Sequence, residues 1–177
     1  MQFAKDSFYM ALRQRLEALN PARTVTLNGS TRPAVIAAEN ELIIPIQPLA
    51  DAFYIEWGSS QAVKDQSGSR ELMRLDCVIS YHTFGTAESG VDRGRVLGEL
   101  DTELMWICEP RNTVKQDYTQ TPALDLGTNI FWNAPQLGEI SGSLGALNES
   151  LPRGTQRARL ERRVSLSVFF FPEVNIL

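Results

Sequence analysis

The sequence predicts an α+β domain, with a mainly antiparallel sheet and two amphipathic helices packed on one face of that sheet. Three observations lead to this class. Two segments carry apolar residues at helical spacing, two long segments alternate between apolar and polar residues, and the strands follow one another without regular strand–helix–strand alternation. The length of 177 residues suits one domain spanning residues 1–177, which at this size can bury a substantial core.

The two predicted helices run from about residue 3 to 19 and from about residue 92 to 108. The apolar stripe of the first consists of Phe8, Leu12, Leu16 and Leu19. This helix should end at Asn20, because the residue before a proline is pushed out of the α region. The stripe of the second consists of Leu97, Leu100, Leu104 and Ile107. Asp92 is its predicted N-cap, and Pro110 lies past its end.

Short strands and turns are predicted between these helices. Asn28 and Gly29 accept positive φ angles readily, so they indicate the turn of a hairpin or the loop after a strand. Two prolines in the forties predict an edge or a loop before a strand at Phe53 to Trp57, since proline cannot donate a hydrogen bond to a sheet. The polar segment from 61 to 69 reads as a flexible connection.

The two long strands are predicted at Arg70 to Phe84 and Arg157 to Phe171. In the first, the apolar face consists of Met73, Leu75, Cys77, Ile79 and Tyr81. The opposite face consists of Arg74, Asp76, Val78, Ser80 and His82. The last strand likewise has one mostly apolar face, and its other face is charged at the start and aromatic at the end.

The arginines of that last strand raise the question of a phosphate or membrane contact. The segment is too short and too charged to span a membrane. A net charge of −4 and a pI near 5.1 argue against a nucleic-acid-binding domain. We therefore expect these charges to pair with acidic groups on a neighbouring strand or subunit.

A long irregular loop is predicted from Arg111 to Thr155, either within the domain or as an insertion. Pro, Gly, Asn, Ser and Thr are frequent there, and only the NIFWN segment has the character of a strand or of the core. Loops of this length are uncommon in compact domains and are usually functional or ordered on binding. We therefore treat this segment as a candidate contact region.

No motif in the chain predicts catalysis, a cofactor or a metal. His82 is the single histidine, there is no Cys-x-x-Cys pair, and no nucleophile elbow or phosphate loop is present. We expect Cys77 and Cys108 to be reduced core thiols, with a disulfide between them as the alternative. Core packing is the default expectation for the three tryptophans, but Trp106 lies off the leucine stripe of its helix, which leaves the core edge or an interface open for it. The charged N-terminal segment predicts neither a signal peptide nor a membrane span, so a soluble protein made in the cytoplasm is expected.

The order of elements resembles the tail terminator and tail completion proteins of long-tailed bacteriophages and prophages, a family that includes minor tail protein U. The matching pieces are the helix from Phe8 to Leu19, the strand from Arg70 to Gly85, the helix from Asp92 to Ile107, and the strand from Arg157 to Phe171. The segment from Arg111 to Thr155 departs from the pattern because it is longer than expected. Together with the connections between them other than Arg111 to Thr155, the matching pieces cover about two thirds of the chain.

The resemblance implies a structural protein of the virion rather than an enzyme. Such proteins form a ring, commonly of six copies, that caps the tail tube and offers a surface to the head connector. The implied partners are other copies of the chain, the tail tube protein and the head–tail connector protein, with assembly in the cytoplasm of the host bacterium and neither nucleic acid nor membrane bound. The candidate interface residues are Arg74, Asp76, Arg157, Arg159 and Arg163.

Two other function classes remain open from the sequence. A small-molecule or peptide binding module could use a sheet face, and a pocket lined by Trp and Tyr would favour it. An enzyme with an unrecognised site would gather His82 with acidic residues in a deep pocket.

Overall fold

A computed structural model describes residues 1–41, 48–63, 71–143 and 158–173. The elements, in chain order, are α1 (Gln2–Leu19), β1 (Thr24–Leu27), β2 (Ser30–Pro33), β3 (Val35–Ala37), β4 (Phe53–Val63), β5 (Leu72–Thr83), α2 (Arg93–Ile107), β6 (Asn112–Asp117), β7 (Leu124–Trp132), β8 (Gln136–Ser143) and β9 (Arg159–Phe170). Two helices with a mostly antiparallel, curled sheet confirm the predicted α+β class.

The sheet is built around β9. The strand order is β3-β4-β5-β9-β7-β6, and β8 also pairs with β9. All of these pairs are antiparallel except β3 with β4. The strands β1 and β2 form a separate hairpin whose turn residues, Asn28 and Gly29, both have positive φ angles, which confirms the turn read from the sequence.

Both helices lie on the same face of the sheet. Phe8 of α1 packs edge-on against Trp57 and Trp132, with ring centroids 5.7 and 5.1 Å apart. Asp101 of α2 accepts a hydrogen bond from the Tyr81 hydroxyl of β5, 2.5 Å away, and pairs with Arg162 of β9. The core between helices and sheet includes Leu75, Cys77, Ile79, Val164, Leu166 and Val168. The apolar faces predicted for the two long strands therefore face the helices.

The prediction of an irregular loop from Arg111 to Thr155 is wrong for β6, for β8 and for the first part of β7. The NIFWN segment, read as strand or core, forms the end of β7 as far as Trp132, with Ile130 and Trp132 buried. The remainder of the predicted loop, beyond Ser143, lies outside the described residues. The alternation of apolar and polar residues did not reveal these strands because the pairing register shifts between Val114 and Gln116 and again between Leu137 and Ile140. A bulge inserts a residue and moves the following side chains to the other face, so the period-two pattern is lost.

β7 and β8 pair with successive parts of the same edge of β9, with a break between them. β7 pairs with the C-terminal end of β9 and β8 with its N-terminal half. At the break between them, the Ser167 backbone N–H donates to Asn133 Oδ1 at 2.6 Å, and the Asn133 N–H donates to the Ser167 carbonyl at 3.2 Å. The side chain of Asn133 thus replaces a missing ladder bond. The strand β4 also runs past its predicted end at Trp57, to Val63.

Candidate functional site

The predicted interface residues that the structure describes share the face of the sheet that points away from the helices. Arg74 and Asp76 of β5 lie opposite Phe169 and Ser167 of β9, and the odd-numbered residues of β9 continue along this face to Arg159. Arg157 lies outside the described residues. We call this surface the open face.

A small polar cluster occupies one end of the open face. Arg74 pairs with Asp76 at 2.9 Å, and its Nε donates to Ser167 Oγ at 3.0 Å. Ser59 of β4 donates to the second oxygen of Asp76 at 2.9 Å. This hydrogen bond from Ser59 and the Arg74 charge hold the pKa of Asp76 below its usual range, against the effect of burial. Beside the cluster, Phe131 and Phe169 stack with centroids 5.3 Å apart.

The remaining candidate charges lie at the other end of the open face. Arg159 pairs with Glu161 at 3.0 Å, and Arg163 is exposed. Ser167 and Arg159 are eight residues apart on one strand, which corresponds to about 27 Å at a rise of about 3.4 Å per residue. The structure thus places the predicted residues on one face but in two separate groups. Two separate groups suit contacts with two partners better than one continuous patch.

His82 lies opposite Glu161, beside the group that contains Arg159 and Arg163. Its side chain is 4% exposed, and its Nε2 has no hydrogen-bond partner among the described residues. Burial and the nearby charge of Arg159 lower its pKa, while Asp51 and Glu161 act in the opposite direction. The imidazole is therefore neutral at pH 7 and has no Ser or Cys nucleophile bonded to it within the described part of the chain.

Both cysteines are buried free thiols, as predicted. Burial raises the pKa of Cys77 and of Cys108, so neither thiol provides a reactive thiolate at neutral pH. Within the described ranges, no group of three or more His, Cys, Asp or Glu side chains is arranged to hold a metal ion. No helix in the described part of the chain is long and apolar enough to cross a membrane.

β8 is an edge strand that the sequence did not reveal. Among the described strands it pairs only with β9, so its other edge presents unpaired backbone groups. Leu137 and Ile140, on the helix side of the sheet, are exposed. An exposed apolar edge strand is a template for pairing with another chain.

A second feature missed by the sequence reading is a cleft between the C-terminal ends of the two helices. Its volume is about 260 Å³, and its lining consists of Arg15, Ala18, Leu19, Trp106, Ile107 and Arg111. Trp106 is 61% exposed, so the default expectation of core packing is wrong for this tryptophan and the alternative of a position outside the core is correct. Its position off the leucine stripe of α2 was the available signal.

Comparisons of the sequence with protein-family models and with curated proteins find no significant match.

Proposed function

We propose that this chain is a structural protein of a phage virion, a tail terminator or head–tail joining protein that assembles into a ring. The observation that carries the proposal is the apolar edge strand β8, which pairs with no described strand except β9. Backbone pairing along such an edge joins one copy to the next, and repeated contacts between two different patches close into a ring when the rotation closes. The resemblance in the order of elements supports a tail component as the specific role.

The open face supports contacts with the axial partners of a ring. Along β9, Ser167 of the polar cluster is four residues, about 14 Å, from Arg163 and eight residues, about 27 Å, from Arg159. Complementary charges fix register and steer encounter more than they add affinity. In this proposal the tail tube protein and the head–tail connector protein bind opposite sides of a ring of six copies.

The test of ring formation is the solution mass, measured by light scattering after size exclusion across protein and salt concentrations. We expect a discrete closed oligomer near six times 19.8 kDa, alone or after addition of purified tail tubes. Ile140→Lys should shift the mass towards the monomer, because a lysine on the edge resists strand pairing.

Gln136→Lys is the matched control for that variant. It adds the same charge to the same strand, but Gln136 lies opposite Ser165, on the open face. We expect it to retain the wild-type mass. A chain that stays monomeric and does not co-sediment with tail tubes would contradict the proposal.

A peptide-binding module is the second candidate function, and the cleft beside Trp106 favours it. Tryptophan and arginine are enriched at the residues that contribute most to protein interfaces. A monomer that binds an unrelated peptide through Trp106, with no capture by tail tubes, would support this alternative.

A further inference from the structure

The cleft between the helix ends combines an apolar floor with two guanidinium groups. Trp106 is 61% exposed and Leu19 is 45% exposed. Arg15 and Arg111 line the same cleft. Exposed apolar side chains flanked by fixed charges indicate a protein contact.

The position of Arg15 is fixed by the fold. Its Nη1 donates to the carbonyls of Ile107 and Glu109 at 2.8 and 3.0 Å, and its guanidinium lies 4.8 Å over the ring of Trp132. Burial and the charge of Arg111 lower the pKa of Arg15, although it stays protonated. Glu109 pairs with Arg111 at 2.6 Å, so two positive groups share one carboxylate. The cleft is therefore preorganised for an apolar group that carries a negative charge.

A turn at the other end of α2 presents such a group. Residues 84–92 connect β5 to α2, and Val91 at their end is 85% exposed. Glu88, three residues earlier, is also exposed. Val91 and Glu88 together supply an apolar side chain and a carboxylate at the surface; we call this segment the Val91 turn.

Hydrogen bonds to Asp92 hold the Val91 turn in shape. Asp92 was predicted as the N-cap of α2 and occupies that position, but its carboxylate makes no capping bond to the helix. It accepts instead from the backbone N–H groups of Thr86 at 3.0 Å and Ala87 at 3.2 Å. The hydrogen bond from the Thr86 hydroxyl, followed by those from the backbone N–H groups, lowers the pKa of Asp92 to about 2. The turn is thus preorganised at any pH well above 2.

We propose that the cleft of one copy receives the Val91 turn of a second copy, with Glu88 facing Arg15 and Arg111. The inference rests on the proposed ring function and names one of its subunit contacts. Val91 precedes α2 and Trp106 lies in its last turn, so the two surfaces are separated by about 22 Å of rigid helix. One copy therefore cannot fill its own cleft. A contact between two different patches is heterologous, which is the kind that builds rings.

A charge exchange tests this pairing directly. Glu88→Arg and Arg111→Glu should each weaken self-association by about tenfold or more in sedimentation measurements, because each juxtaposes like charges. The double variant should restore affinity to within about threefold of wild type, since the pair is re-formed with opposite polarity. Both sites are exposed, and circular dichroism checks that each of the three variants folds.

Mixing two defective copies provides a second test. Trp106→Ala breaks only the cleft and Val91→Arg only the turn. In an Ile140→Lys background, where the β8 edge no longer pairs, the mixture retains one intact contact and should stop at a one-to-one dimer. Leu124→Ala, an exposed apolar residue on β7, is the control and should assemble as wild type does.

Unchanged masses for the single variants, or a double variant no better than either single, would overturn the contact. So would a wild-type chain that is monomeric at every concentration. Neither result decides the virion role, which capture by tail tubes tests separately. If the chain does not bind tail tubes but the charge-exchange variants behave as expected, the proposed virion function is rejected and the subunit contact is retained.

Discussion

At the residue scale, the most informative departure from expectation is Lys115. It belongs to a segment read as a loop, yet its side chain is 2% exposed. The ammonium donates to the carbonyl of Phe171 at 2.6 Å and pairs with Glu173 at 3.1 Å. Lysine is almost never fully buried unless it is paired, so this contact anchors the segment that follows β9.

We expect Lys115→Met to destabilise the fold by about 1–3 kcal/mol, because it leaves the Phe171 carbonyl without its donor and removes one of the two cationic partners of Glu173, which keeps its pair with the N-terminal ammonium. Urea unfolding measures the change. Lys5→Met is the matched control, since Lys5 pairs with Glu39 nearer the surface and should cost no more than about 1 kcal/mol. Equal losses in the two variants would contradict the anchoring role.

His82 and Trp106 show how residue type alone misleads. His82 was placed on the polar face of its strand, which is where it lies, but it is buried there. Trp106 was expected in the core and is exposed. The sequence indicated the correct face of the strand for His82 and a position off the apolar stripe for Trp106. How deeply each side chain is buried depends on which other segments cover it.

At the element scale, β8 depends on a close approach of two backbones. A Cβ added at Gly138 would lie 2.7 Å from the carbonyl oxygen of Arg163 on β9. The bulge between Leu137 and Ile140 brings the chain this close. A glycine is therefore required where the strand crosses its partner.

We expect Gly138→Ala to cost about 1–3 kcal/mol, since the backbone of β9 must shift to relieve the overlap. Gly98→Ala is the matched control. Gly98 lies within α2 with nothing within 4 Å of an added Cβ, so this change should stabilise the fold by about 0.5–1 kcal/mol. Thermal unfolding of both variants measures the difference, and equal shifts would mean that β8 does not hold this register in solution.

At the scale of the whole molecule, one sheet face is covered by helices and the other is open. The open face carries charges that are partly neutralised by neighbours, such as Arg74 with Asp76 and Arg159 with Glu161. Arg163 is the exposed member at the end near β8. We therefore expect it to contribute most to electrostatic recognition of a partner on this face.

Arg163→Ala should lower the affinity for tail tubes about two- to fivefold at low salt, the size of an exposed ion pair. The difference should shrink as salt screens the contact. Co-sedimentation across salt concentrations measures both effects. Arg95→Ala removes an exposed arginine from α2, on the helix side, and should leave the affinity for tail tubes unchanged. A comparable loss of affinity in this control would show that net charge matters, and not the open face.

The sequence by itself determined the two helices, the hairpin at Asn28 and Gly29, and the two long strands with their faces. It also placed Arg74, Asp76, Arg159 and Arg163 on one side of the sheet. These results follow from periodicity, which records which side of a helix or strand is buried and needs no knowledge of distant partners.

Only the tertiary structure decided the identity of β6 and β8, the first part of β7, the edge position of β8 and the cleft at Trp106. β6 is mostly polar, β7 and β8 contain glycines, and two register shifts interrupt the alternation. Their pairing is stabilised by β9, which follows them in the chain across a segment that separates Ser143 from Arg159. The cleft joins the ends of two helices more than 80 residues apart. Such surfaces depend on how distant elements pack, and local sequence patterns carry no record of that packing.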